Sequence, residues 1–296
     1  MAFSSDPCVH AEPMEVTNPI NGRVSPVALT PYCRTPWTLV QDTGTGFVFL
    51  LNPPSYESLE SDMAWEKTFA KERERRLHDE PFLARVSLGI ANLRKRLWPR
   101  RKKILDVAMR EVRQLHRHGD PLKVVDIGCG RGDLLMLFQS RLKARGSACS
   151  LFGIELSKGL AAAAQERIGE AGRVIQASAL DGAKRLERDS VDLTLMSCFL
   201  EHEARPLELL RELRLALRAH GSIVIKVPNF ACWNRRLRGP RWCGFRYPDH
   251  VNYFTPHTLG LLAREAGYEV RPQKLIDRVP VSDNMYMVIR PREERA

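Results

Sequence analysis

No run of the 296-residue chain approaches the roughly 18 consecutive apolar residues that a membrane-crossing helix needs. The opening MAFSSDPCVH has neither a basic start nor an apolar core. A chain without membrane span or secretory signal is expected, placed in the cytoplasm. The cysteines are also informative by what they omit. There are seven (Cys8, Cys33, Cys129, Cys149, Cys198, Cys232 and Cys243), an odd number, and no two form a C-x-x-C pair, which argues against zinc ribbons and disulfide frameworks alike. No internal repeat is visible, and the run Ala161 to Ala164 reads simply as good helix former.

The chain is 44% hydrophobic, ample for a sizeable core in one large domain with an appendage. Its formal net charge of +11 suits an anionic substrate, a nucleic acid or an anionic membrane surface without choosing among them.

The residues that organise the rest run from Val124 to Leu135, VVDIGCGRGDLL. Val124, Val125 and Ile127 are β-branched strand formers, Asp126 sits at the strand's end, and Leu134, Leu135, Leu137 and Phe138 give the next helix its apolar face. Gly128, Gly130 and Gly132 recur at a spacing of two, so the backbone can turn sharply and approach a ligand closely. The pattern is not the dinucleotide fingerprint G-x-G-x-x-G, which needs glycine where Asp133 stands. A second apolar strand, LFGIE, ends in Glu155, 23 residues beyond Gly132. An acid at about that distance is where doubly wound folds hold both ribose hydroxyls.

D-x-G-x-G-x-G after a strand, followed by this acid, resembles the first two motifs of the class I S-adenosylmethionine-dependent methyltransferases. The resemblance covers roughly residues 122–290. It implies a Rossmann-like α/β fold, a seven-stranded mainly parallel sheet with helices on both faces, whose final strands form an antiparallel hairpin. It also implies S-adenosyl-L-methionine as cofactor, held by Asp126, Gly128, Cys129, Gly130, Gly132 and Glu155. By position alone, Leu180 and Asp181 after the third strand would meet the adenine, and Ser197 would close the fourth strand beside the pocket.

Alternating patterns place helices at Leu160 to Ile168, Leu180 to Leu186, Leu207 to Leu217 and Thr255 to Ala266. Strands are expected at Arg173 to Ala177, Val191 to Met196, Ser222 to Val227, Tyr268 to Val270 and Met285 to Ile289. Gly221 is read as the turn into the fifth strand. Upstream, residues 1–36 read as an extended or disordered arm, and residues 37–118 as a mainly helical extension. That extension opens with an apolar strand at Thr43 to Leu51 and carries the basic run from Arg94 to Lys103. TGFVFLLNPPSYESLESDMAWEKTFAKERERR is similar to an N-terminal extension of some bacterial methyltransferase-domain proteins. The methyltransferase domain is set at 119–296, with a lid-like insertion at 229–255.

Two histidines compete to remove the acceptor's proton. His202 lies in SCFLEH, similar to the LEH segment of many small-molecule methyltransferases. Some relatives complete a metal site with a glutamate where Cys198 stands here, and a thiol suits Mg²⁺ poorly, so no metal is assigned. His250 lies in the insertion, whose Pro248, His250, Tyr253, Phe254 and Thr255 resemble a PxHxxxFT-type segment of a broad methyltransferase group. Trp233, Trp242, Phe245 and Tyr247 are read there as a cover for substrate, and five arginines as a seat for an anionic group. His250 is preferred as base because the insertion brings its own aromatics.

The expected activity is methyl transfer to a small-molecule or lipid- or sugar-linked acceptor, by O- or C-methylation. A nucleic-acid methyltransferase stays open on charge, against the lack of an RNA-binding module and of an N-P-P-Y-type segment after the fourth strand. A non-catalytic cofactor-binding protein of the same fold also stays open.

Overall fold

A computed structural model describes residues 14–54, 103–115, 121–272 and 282–292. Four strands open it: β1 (Met14–Thr17), β2 (Val24–Leu29), β3 (Leu39–Asp42) and β4 (Val48–Leu50). After helix α1 (Lys103–Leu115) come β5 (Leu122–Ile127), α2 (Asp133–Lys143), β6 (Cys149–Glu155), α3 (Lys158–Ile168), β7 (Gly172–Gln176) and α4 (Ala179–Lys184). The chain continues through β8 (Val191–Ser197), α5 (Pro206–Ala216), β9 (Leu217–Pro228), α6 (Trp233–Arg238) and β10 (Asn252–Tyr253). It ends with α7 (Pro256–Glu265), β11 (Tyr268–Val270) and β12 (Asn284–Pro291).

The large sheet has the order β11-β12-β9-β8-β5-β6-β7, parallel from β9 to β7, with β12 antiparallel to both β9 and β11. Its strand order reverses at β5, between β6 and β8, so the carboxyl ends of β5, β6 and β8 open onto the ligand crevice of a doubly wound fold. One face is covered by α1, α2 and α3 through residues such as Leu105, Ala108, Phe138 and Ile168. The other is covered by α4, α5 and α7 through Ala183, Leu210, Leu213 and Leu262. Helix α1 also docks by charge: Arg290 on β12 donates to Glu111 at 2.8 Å and to Ser222 at 3.1 Å.

Two expectations are corrected. Residues 14–29 are not a loose arm but the hairpin β1-β2, and with β3, β4 and β10 they form a second, antiparallel sheet of order β1-β2-β3-β4-β10. The signal was present as Asn21-Gly22, a hairpin-turn dipeptide, with Gly22 at φ 71°. Gly221 does not start a strand, because β9 runs unbroken from Leu217, directly out of α5, with a register shift against β8 between Val191 and Leu193. The helices expected within residues 56–102 and nearly all of the basic run fall outside the described residues. Of that run, Lys103 lies over the Tyr286 ring at 4.9 Å.

The outer strands β1 and β2 are largely exposed, whereas β4 is buried on both faces, and its alternation shows how. Phe47 and Phe49 point into the core shared with Leu200, Leu207 and Phe254, while Val48 and Leu50 point into a third cluster with Phe230, Trp242, Phe245 and Tyr253. The N-terminal sheet is thus a layer between the large sheet's domain and the insertion. Phe47, fully buried, lies 5.2 Å from Phe254 and 5.6 Å from Phe49, ring centre to ring centre. Phe47→Ala is therefore expected to cost about 3–5 kcal/mol of the whole chain's stability in one cooperative urea transition. A second, separate transition would mean that the small sheet unfolds alone.

Candidate functional site

The glycine loop is strapped down by its own hydrogen bonds. Gly128 and Cys129 donate to Ile154 O at 2.8 and 3.2 Å, and Gly132 donates to Cys129 O at 2.9 Å. Gly130 N–H donates to Glu155 Oε2 at 2.9 Å, and Ser157 N–H to Glu155 Oε1 at 3.0 Å. Glu155 is therefore fixed by both oxygens, each with acceptor capacity left for a hydroxyl. Gly128, Gly130 and Gly132 all take positive φ, 68°, 56° and 76°. At Gly128 a Cβ would lie 2.5 Å from Phe199, so glycine lets the loop after β8 close on it. At Gly130 a Cβ would meet nothing within 4 Å, leaving bare backbone beside open space.

The other residues assigned from sequence divide. Asp126 is buried within β5, and Cys129 is buried with its sulfur against Gly153 of β6, so that side chain faces the sheet. Burial, with the charges of Asp126 and Glu155, pushes its thiol far above the ordinary range. Leu180 is core, whereas Asp181 is exposed and engaged locally, accepting from Ser178 Oγ at 2.7 Å and lying 3.8 Å from Lys184. Ser197, partly buried, ends β8 opposite Lys226.

The two competing histidines prove to be neighbours. Their ring centres are 4.7 Å apart, edge to face. His202 lies on a single 3₁₀ turn, Leu200–His202, and His250 arrives from the insertion. Each ring places Nδ1 against a backbone carbonyl, His202 on Asp249 O at 2.7 Å and His250 on Gly244 O at 2.8 Å. A carbonyl only accepts, so Nδ1 carries the hydrogen in both rings and Nε2 keeps its lone pair when the ring is neutral.

Beside them stands Glu201, 1% exposed, with Oε2 buried and without a hydrogen-bond partner. Burial pushes its carboxyl up to about 8, opposed by the nearby cations Lys226 and Arg246. Burial and Arg246 hold His202 down to about 4, so it is neutral through the physiological range. Cys198, at φ 57°, has its thiol raised by burial despite a hydrogen bond to Lys226. One ligand atom from each of Glu201, His202 and His250 lies within 4.8 Å of the others, a spacing able to hold a metal ion. Cys198 thus does not decide the metal question, because the fold supplies a different third donor.

The aromatics expected to cover substrate also divide. Trp242 and Phe245 are core, packed with Phe230 and Tyr253, while Trp233 is half exposed. The sequence reading missed Asp283, which pins the insertion. Its carboxylate accepts from Trp242 Nε1 at 2.8 Å and from Asn234 at 2.9 and 3.0 Å, and its backbone O accepts from Asn229 N at 2.8 Å.

A family model described as a methyltransferase domain matches residues 85–273, well over half of the chain. The chain belongs to the methyltransferase-domain family. As a methyltransferase of this class it draws its methyl group from S-adenosylmethionine, and the open backbone at Gly130 beside the fixed Glu155 fits that group. No curated protein matches the sequence.

Three solved structures are similar at a distance. A Haloferax volcanii methyltransferase in complex with the activator Trm112 is 17% identical, over 62% of this chain and 90% of that one, at a TM-score of 0.47. A SAM-dependent methyltransferase from Archaeoglobus fulgidus is 19% identical, over 63% and 94%, at 0.46. The Burkholderia thailandensis 1,6-didemethyltoxoflavin-N1-methyltransferase, with its substrate and S-adenosylhomocysteine bound, is 16% identical, over 89% and 99%, at 0.46. At such distances nothing about the acceptor transfers from them. No helix among the described residues is long and apolar enough to cross a membrane.

The Glu201 carboxyl gives a pH test. Its folded value of about 8 lies above its ordinary 4.5, so its protonation stabilises the fold fully below pH 4.5, and that contribution is lost as pH rises through about 8. Glutamine is neutral throughout. The stability of Glu201→Gln relative to the native chain should therefore increase between pH 6 and pH 9, read by urea denaturation; a constant difference would remove the buried neutral carboxyl.

Proposed function

We propose that this methyltransferase acts on a small-molecule or lipid- or sugar-linked acceptor, at oxygen or carbon, with His250 taking the acceptor's proton. The observation that carries the reading is the His202–His250 pair, in which His202 stands on the loop after β8 whose Phe199 packs onto Gly128 of the cofactor loop, and His250 meets it from the insertion. Bound at that loop, S-adenosylmethionine supplies an electrophilic methyl group. Gly128, Gly130 and Gly132 would give it backbone to lie against, and Glu155, held by Gly130 and Ser157, would accept from its ribose hydroxyls.

What is left to the chain is aiming and proton removal, the latter typically worth about 10² to 10⁴ in rate. Burial and Arg246 make His202 a weak base near neutral pH, so in this reading it positions the acceptor and His250 takes the proton.

A second reading has one observation in its favour. Glu201, His202 and His250 together offer two imidazoles and a carboxylate to one divalent ion, which would then bind the acceptor's oxygen. In that case both histidines are ligands rather than bases.

Two measurements test the assignment. Glu155→Ala should weaken S-adenosylhomocysteine binding at least about a hundredfold by calorimetry, the loss of two hydrogen bonds to a charged acceptor at about 1.5–3 kcal/mol each; unchanged affinity sinks the ribose assignment. His250→Ala should lower kcat by about 10² to 10⁴ with cofactor affinity intact and no response to chelator in the native enzyme. Turnover near that of the native enzyme in His250→Ala removes it as base, and activity lost to chelator and restored by a divalent ion selects the metal reading.

A further inference from the structure

Helix α6 has one face tied down and one face turned out. On the inner face Asn234 donates to Asp283, and Arg235 donates to Phe230 O and to Tyr32 Oη (the latter at 3.0 Å) with its guanidinium 4.1 Å from the centre of the Phe230 ring. Cys232 Sγ caps the helix by accepting from Arg235 N–H at 3.4 Å. On the outer face stand Trp233 and Leu237, one turn apart, 51% and 86% exposed. Among the described residues only five large hydrophobic side chains are so exposed, and two of them share this turn. Their surroundings are basic: Arg236 and Arg241 are exposed beside them, Arg238 is half-buried, and no Asp or Glu occurs from Asn229 to Pro248, against five arginines.

An apolar tip flanked by two exposed arginines, on a segment that carries no acid of its own, matches an anionic lipid surface, where leucine enters the acyl boundary, tryptophan lies at headgroup level and arginines meet the phosphates. A second copy fits less well, because a two-fold contact through this turn would bring Arg236 and Arg241 against their own counterparts. A nucleic acid would satisfy the arginines but leave Leu237 without an apolar partner. We propose that α6 and the following turn, Gly239–Arg241, dock the enzyme reversibly on an anionic membrane surface. The proposal does not depend on which acceptor the active site takes.

The test is flotation of the full chain with vesicles of phosphatidylcholine alone or with one third phosphatidylglycerol. Binding is expected to the anionic vesicles only, and to fall with added salt. The pair Arg236→Gln and Arg241→Gln should weaken it about 25-fold, at about 1 kcal/mol for each arginine near the surface. The pair Trp233→Ser and Leu237→Ser should weaken it at least tenfold. Both pairs lie outside the cofactor loop and the histidine cluster, so S-adenosylhomocysteine affinity should stay native, which separates a failure here from a failure of the active-site reading. Absent vesicle binding, equal binding to neutral vesicles, or full binding by the Trp233→Ser, Leu237→Ser variant would overturn the proposal. So would self-association, or salt-sensitive RNA binding, that the same variant abolishes while vesicle binding is absent.

Discussion

The geometry of the candidate site depends on one residue, Val251. Its N–H donates to Glu201 O at 2.8 Å, and its C=O accepts from Leu50 N at 2.8 Å, so one residue joins the loop after β8 to the N-terminal sheet. The next residue extends the seam: Asn252 Nδ2 donates to Leu200 O at 3.0 Å and to Glu203 O at 2.6 Å. His250 immediately precedes this seam, and its backbone N–H donates to Arg246 O at 2.8 Å. The imidazole therefore reaches His202 and Glu201 because an insertion edge is paired on one side with β4 and on the other with the 3₁₀ turn. Buried backbone groups require partners, and here satisfying them also fixes a side chain.

This arrangement gives the N-terminal sheet its function. Without β4, the edge of β10 and the C=O of Val251 would lose their partners, and Val48 and Leu50 would leave the aromatic cluster around Phe245. Phe245 itself is contacted by Tyr32, Phe230, Trp242, Tyr247 and Tyr253, with ring centres 4.7 to 6.1 Å apart. Burial is the physical reason the Glu201 carboxyl is raised and His202 is lowered, the Arg246 charge adding to the latter. The cofactor half of the site is built differently, from backbone hydrogen bonds at the ends of β5 and β6.

How much of this was legible in the sequence follows from how local each feature is. The cofactor loop was readable because strand, glycine spacing and distant acid all follow from neighbouring residues and short crossovers. The parallel sheet was readable for the same reason, through periodicity and punctuating glycines. The small sheet was not, because β4 and β10 pair across some two hundred residues and strands of two to six residues carry little pattern. Nor could sequence show that His202 and His250 are neighbours rather than rivals, since 47 residues separate them and contact depends on the Val251 seam. The aromatic segment was read as a cover over substrate. Its tryptophans instead serve opposite ends, Trp242 in the core on Asp283 and Trp233 outward on α6.

The most direct measurement of the account is the fate of the methyl group itself. The full chain would be incubated with methyl-labelled S-adenosylmethionine and separated small-molecule, lipid and nucleic-acid fractions of a cell extract, and the products identified by mass. Label is expected in the small-molecule or lipid fraction, on oxygen or carbon, and to form about 10² to 10⁴ times more slowly with an enzyme that binds cofactor normally but lacks the His250 imidazole. Label in RNA, or no transfer to any fraction by a chain that binds the cofactor tightly, would contradict it.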